Sequence, residues 1–491
     1  MSVPEPFALG QHIGGQWGPP RDDLQRTDPA RPAEVVSSCP QASDLEVDAA
    51  VAAAHGAEGR WRTLTALDRG AVLHAVADLT VQRAEELVEP MVREAGKLVE
   101  DARGEVSRAV QTLRYNAELG RGAAGEIYVS SDPAEEVRTL RVPLGVVALV
   151  TPWNFPLAIP VWKLAPALIH GNTVVWKPAP ESPASSAAFM RILEDAGLPA
   201  GVCNLIFGDA AVGRRLVAAP EVAAVSFTGS AAAGDDVAAT AGARRARYQL
   251  ECGGHNPALV CSDADLDLAA RRIAAGAMFA AGQKCTATRR AILASDVYEP
   301  LLERLIDQVS KLRVGEPTDP DVDLGPLISR EARDRALDSI AQATDAGAEL
   351  LAGGHALDDV SLHGGHYLAP TVLQVEDPDA VALCREEVFG PVLAVLRADD
   401  DDQAVALANA TDYGLAATVF TRDARRIRRM LADIEAGVIH INGPTTGAEL
   451  HVPFGGVKRS GSAAWREQGE AARDFYTQQR TAYLHHGELP T

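Results

Sequence analysis

Between residues 45 and 119 apolar side chains recur three and four positions apart, the spacing that turns one helix face toward a core. The run RAEELVEPMVREAGKLVEDARGEVSRAVQTLRYNAEL shows it most clearly, and Asp44 and Glu46 mark where the first helix opens. From residue 145 the texture changes. Short apolar runs (VVALV, NTVVWK, VCNLIF, VAAVSF) alternate with helix-length stretches, and many junctions carry Gly or Pro. Strands separated by helices imply parallel βαβ units, hence a doubly wound α/β sheet. After Gly253 a second alternating series begins with NPALV and the helix LDLAARRIAAGAMFAAG. RRAILA, helices near 296–311 and 330–346, PVLAVLR, LAATVFT and GVIHIN follow, which predicts a second α/β domain.

Two stretches fit neither series. Residues 121–142 and the C-terminal DFYTQQRTAYLHH (474–486) alternate apolar and polar residues in part, as strands do. Two such strands, distant in sequence, suit a small excursion sheet used for contacts in a homodimer or homotetramer.

Composition narrows the partners. The 491 residues carry 46 Lys and Arg against 67 Asp and Glu, a formal net charge of −21. That excess repels phosphate backbones and anionic lipid, so neither nucleic acid nor membrane is an expected partner. No stretch is long and apolar enough to span a bilayer, and the N-terminus lacks a secretory pattern. The six cysteines (39, 203, 252, 261, 285 and 384) show no CxxC pair or zinc-ligand spacing, so no metal is expected and a reducing cytoplasm fits.

Four places carry candidate chemistry. Cys285, in FAAGQKCTATRR, follows a small-residue helix in a polar, turn-like segment that can present a thiol. A thiolate is the reactive form, favoured by a helix terminus or local positive charge, although a free cysteine is more often a small buried hydrophobe. Glu251, in YQLECGGHNP, ends an apolar strand ahead of Gly253 and Gly254, which permit close approach of another group. Its plain alternative is a solvated strand end. Asn154 lies in TPWNFP, a Pro-bracketed loop after a strand, where an amide can donate to a developing oxyanion or form an Asx turn. There is no GxGxxG. Instead VAAVSFTGSAAAG aims a helix N-terminus, at Gly229 and Ser230, where a pyrophosphate would lie, and Lys177 ends a neighbouring strand.

Together these residues resemble the aldehyde dehydrogenase superfamily. TPWNFP, GNTVVWKPA, SFTGS, ECGGHNP, GQKCTA, GPLIS, EEVFGP and PFGGVKRSG occur in the family's order, with 23 residues from Asn154 to Lys177 and 34 from Glu251 to Cys285. The resemblance implies a two-domain fold: a Rossmann-like cofactor domain (1–120 and 143–251), a catalytic domain (252–450) and oligomerisation segments (121–142 and 470–491). It implies Cys285 as nucleophile, Asn154 with the Cys285 N–H as oxyanion donors, Glu251 as general base, and NAD or NADP as cofactor. Lys177 would hold the adenosine ribose, Ser230 the pyrophosphate, and Glu387 and Phe389 the nicotinamide ribose. Pro152, Trp153, Gly229 and Gly253 would shape the backbone around the cofactor.

Two departures stand out. Cys252 replaces the family's usual leucine, and Pro180 stands three after Lys177 where many NAD-preferring members carry Glu, with Glu181 one place later. NADP or dual use follows as an expectation. The segment INGPTTGAELHVPFGGVKRSGSAAWREQG, in which Pro444 to Leu450 precede PFGG, resembles the substrate loop of bacterial 2,5-dioxopentanoate dehydrogenases, and from Pro444 to Pro453 it holds no Phe, Tyr or Trp. An aromatic cage for a quaternary ammonium is therefore not expected. Phe155 and Trp162 would wall the substrate site, and Arg108 would face a distal carboxylate, giving a short acidic semialdehyde as substrate. General aliphatic or aromatic aldehydes are the alternative. A coenzyme A-dependent acylating enzyme, a thiol esterase and a catalytically silent protein on this fold are the remaining readings, against which intact Cys285, Glu251 and Asn154 stand.

Overall fold

The computed structural model describes residues 5–358, 362–462 and 464–487. The helical N-terminal region folds as Asp44–Thr63, Ala66–Gln82, Ala84–Ala95 and Val99–Leu119. Ser43 and Glu46 form a reciprocal capping box at the first of these, and Thr65 and Asp68 do the same at the second. The following chain builds a seven-stranded sheet. Its five parallel strands lie in the order Arg247–Glu251, Val222–Thr228, Val146–Val150, Thr173–Lys177, Cys203–Leu205. The first strand in sequence is thus the central one, and the connection reverses direction beside it, which opens a crevice at the strands' C-terminal ends. Two short N-terminal strands, His12–Ile13 and Gln16–Trp17, extend the edge antiparallel, an addition their two-residue length hid from pattern reading.

Side-chain alternation decides the layers. Val147 and Leu149 face one core with Trp61, Trp176 and Phe189, whereas Val146 and Ala148 face another with Val51, Val225 and Leu216. Both faces are therefore apolar and helix-covered, which is why these strands read as continuous hydrophobic runs. A second seven-stranded sheet repeats the scheme. Asn256–Val260 lies between Thr288–Ala294 and Ala416–Phe420, and only the edge strand Glu349–Ala352 is antiparallel.

Two expectations need adjusting. The helix expected to reach Gly282 stops at Met278 and continues as a tight turn in which Ala280 and Ala281 take left-handed φ of 56° and 52°. Gly282 there packs directly on the Gly390 carbonyl, leaving no room for a Cβ or for helical continuation. The C-terminal strand begins at Thr477, because 474–476 finish the helix Gly469–Tyr476, whose Phe475 and Tyr476 are buried in the main core. Thr477–His485 pairs antiparallel along its whole length with Glu135–Pro143, and Ile127–Tyr128 completes a three-stranded excursion sheet. Of the segment 470–491, residues 488–491 lie outside the described residues. No helix among the described residues is long and apolar enough to cross a membrane.

Candidate active site

The crevice of the first sheet is a groove of about 360 Å³ lined by residues that include Val150, Lys177, Pro180, Arg214, Phe227 and Gly229. Lys177 closes its strand and is 5% exposed. Burial lowers its ammonium pKa to about 8, opposed by Glu181 and Asp209. Ser230 caps the helix Ala231–Ala243 by accepting from the Ala233 N–H at 3.4 Å, and Gly229 and Ala233 face the groove. An apolar slot with one buried cation and a helix N-terminus fits an adenosine diphosphate moiety. Pro152 and Trp153 line the same groove. Trp153 meets Phe389 edge-on at 5.7 Å, and Phe389 holds a left-handed φ of 52° with the Arg289 guanidinium 5.8 Å from its ring. A Cβ at Gly253 would overlap the Glu387 carboxylate, which accepts the Gly254 N–H at 3.2 Å. Burial raises the Glu387 carboxyl to about 7, against the pull of Arg289 and that N–H.

Cys285 is partly exposed at the start of the second domain, after the left-handed turn. Burial, then the Glu387 and Glu251 carboxyls, push its pKa up to about 12, against the pull of its own backbone N–H. Burial and these carboxyls favour the neutral thiol, with the Arg289 guanidinium also within electrostatic reach of the sulfur. Asn154 is buried, and its Nδ2 donates to the Gln283 carbonyl at 3.0 Å, joining the first domain's loop to the residue two before the cysteine. Gln283 is itself fixed, its Oε1 accepting the Ile328 N–H at 2.8 Å. Gly254 is required by close approach, since a Cβ there would lie 2.6 Å from the Cys285 carbonyl oxygen.

Glu251 ends its strand buried at 4% exposure, with no hydrogen-bond partner for either carboxylate oxygen among the described residues. The solvated-strand-end alternative is thereby removed. Burial first, then the charge of Glu467, raise its pKa well above the usual range, while Lys163 and Arg466 oppose. Lys163 and Glu467 form a buried ion pair, and Lys163 also donates to Ser226 at 2.9 Å. None of Lys163, Arg466 and Glu467 was singled out from sequence. Each lies in an ordinary helix or loop pattern, and only tertiary packing gathers them around Glu251.

On the substrate side, Trp162 stands with its ring 6.1 Å from Phe454 and its buried indole Nε1 without a partner among the described residues. Phe155 lies under the Lys97 ammonium at 4.1 Å. Arg108, half-buried on Val99–Leu119, donates to the Ala448 carbonyl, so the helix and the loop Pro444–Pro453 meet at this guanidinium. Cys252 is buried, and a Cβ at Gly234 would lie 2.7 Å from its sulfur, the packing role expected of a small residue.

Fold and site together fit a nucleotide-dependent oxidoreductase: a doubly wound crevice of the kind that takes a dinucleotide, with a thiol, an amide and a buried carboxylate on the segments between it and the second sheet. The chain belongs to the aldehyde dehydrogenase family, whose model matches residues 17–482, and its members oxidise aldehydes with NAD(P). It is 41% identical to the alpha-ketoglutaric semialdehyde dehydrogenase of Bacillus subtilis, over 97% of each chain. It is 42% identical to the alpha-ketoglutarate semialdehyde dehydrogenase of Haloferax volcanii, over 96% of this chain and 98% of that one. Among solved structures, betaine aldehyde dehydrogenase from Staphylococcus aureus in complex with NAD+ superposes with a TM-score of 0.94 at 31% identity, covering 99% of this chain and 96% of that one.

Proposed function

We propose that this chain is a hydrolytic dehydrogenase for a short acidic semialdehyde such as 2,5-dioxopentanoate, with Cys285, Asn154 and Glu251 as its catalytic residues. The substrate reading is carried by Arg108. A guanidinium that already donates to the Ala448 carbonyl of the Pro444–Pro453 loop could also take a distal carboxylate, and the names of the two relatives above support the reading. Phe155 and Trp162 supply the walls between that carboxylate and the thiol.

The reaction runs as follows. Cys285 loses its proton to solvent before it attacks, a loss that burial and the neighbouring carboxyls make costly. The sulfur bonds to the aldehyde carbon, and the carbonyl π electrons move to oxygen, which the Asn154 amide and the Cys285 N–H stabilise. Glu387 and Phe389 would hold the nicotinamide ribose, and an oxidised nicotinamide bound there would supply the acceptor for the hydride. Glu251 then removes a proton from water as it attacks the thioester, and the carboxylic acid departs with the thiolate as leaving group. A coenzyme A-dependent acylating enzyme needs no such base, so the buried, unpartnered Glu251 argues for hydrolysis.

The proposed division keeps 1–120 and 143–251 with the cofactor, 252–450 with catalysis, and 121–142 with the C-terminal strand for assembly into a dimer or tetramer. Six unpaired cysteines agree with a reducing cytoplasm. The deciding experiment compares kcat/KM for 2,5-dioxopentanoate and succinate semialdehyde with that for hexanal and benzaldehyde. The acids are expected to lead by at least tenfold, about 1.4 kcal/mol of selective binding, and Arg108→Ala to remove that lead. Preference for the neutral aldehydes defeats the substrate reading. Acid preference that survives Arg108→Ala defeats only the choice of anchor.

A further inference from the structure

Behind the loop that carries Asn154 lies an ion pair the reaction does not use. Lys97 and Glu105 meet at 2.6 Å with side chains 8% and 1% exposed. A pair this deep loses in desolvation much of what its attraction returns, so its value lies in what else it holds. Glu105, on the second turn of Val99–Leu119, accepts the N–H groups of Leu157 and Ala158 at 2.8 and 2.9 Å. These open the helix Ala158–Ile169, whose own N-cap, Leu157, has no side-chain acceptor. Glu105 is thus a cap supplied by another helix. Lys97 donates to the Asn154 carbonyl at 2.8 Å and covers the Phe155 ring. The pair grips both ends of the turn 154–158.

That grip matters because of how Asn154 is spent. Its Oδ1 accepts the Phe155 N–H at 3.1 Å, and one Nδ2 hydrogen goes to Gln283. The second is the hydrogen a carbonyl oxygen at Cys285 would receive. Packing behind the loop is incomplete. A cavity of about 20 Å³, room for roughly one water, lies between Lys97, Asp101, Trp153, Asn154 and Gln283. Without the Lys97 bond the Asn154 backbone has space to retreat, and an oxyanion donor displaced by even 1 Å loses most of its effect.

We propose that the Lys97–Glu105 pair is a positioning device for the oxyanion donor, holding the Asn154 amide at its working distance from Cys285. The inference rests on Asn154 being that donor. A cycle of Lys97→Met, Asn154→Ala and the double variant tests it, with kcat per active thiol counted by iodoacetamide titration and cofactor affinity read by fluorescence. Asn154→Ala is expected to lower kcat by about 10²–10³-fold. Lys97→Met should lower it about tenfold with cofactor affinity unchanged, and Lys97→Arg should restore most of the loss. In the Asn154→Ala background Lys97→Met should change kcat less than twofold. If Lys97→Met alone leaves kcat per thiol within twofold, or costs the same tenfold with and without Asn154, the positioning role is overturned. If Asn154→Ala is itself harmless, the oxyanion reading fails first.

Discussion

Cys285 and Glu251 show how strongly local environment sets chemical role. Both are acids whose neutral forms are favoured by burial and by neighbouring carboxyls, the thiol reaching about 12 and the carboxyl rising well above its usual range. The active forms are the bases. Activity therefore grows as pH rises, and kcat/KM measured from pH 6 to 9 should climb, whereas a flat profile would mean that neither group is limiting. Cys285→Ala is expected to abolish oxidation, by at least about 10⁴-fold, while cofactor binding persists. Glu251→Gln should still form the thioester, because only hydrolysis needs the base. Intact-protein mass spectrometry should find the acyl adduct on Cys285, and wild-type turnover in that variant would assign the base elsewhere.

At the scale of elements, junctions rather than interiors carry the differences from sequence expectation. Glu105 caps one helix from another, and Glu94 does likewise, accepting the Ala184 and Ser185 N–H groups at 2.8 and 2.9 Å at the start of Pro183–Asp195. The helix Ala210–Ala218 brings Arg214 to the cofactor groove beside Pro180 and Lys177, and Arg214 forms no ion pair among the described residues. With proline where a repelling glutamate is common, this cation is expected to favour a 2′-phosphate, with Glu181 and Asp209 near Lys177 opposing it. Arg214→Ala should weaken 2′,5′-ADP binding about tenfold and leave 5′-AMP unchanged, as titration calorimetry would show. Equal losses for both nucleotides would remove Arg214 from phosphate recognition.

For the whole molecule, the excursion sheet is the feature a monomer explains least. Thr477–His485 is an edge strand with an exposed Tyr483, and Ile127, Tyr128 and Val129 at the opposite edge are exposed apolar residues in sequence. Edges of this kind invite pairing unless covered. Light scattering at micromolar concentration should give a dimer or tetramer of the 51.8 kDa chain. The monomer mass would refute the assembly reading, and loss of assembly on replacing Ile127 and Val129 with Lys would locate the contact.

Periodicity alone determined the two parallel α/β series, the helical N-terminal region and the excursion strands, because each pattern reports which face of an element is apolar. The ordered motifs carried Cys285, Glu251, Asn154, Lys177 and Glu387, since their residue types are unusual where they stand. Tertiary structure alone decided the surroundings. Lys163, Arg466 and Glu467 meet at Glu251, Lys97 and Glu105 meet behind Asn154, and Arg214 enters the groove, from positions that local pattern leaves unremarkable. The Cys285 thiol is the clearest case. Local sequence placed it in a turn able to expose a nucleophile, but its proton affinity depends on carboxyls brought in from Glu251 and Glu387, and charge acts through space rather than along the chain.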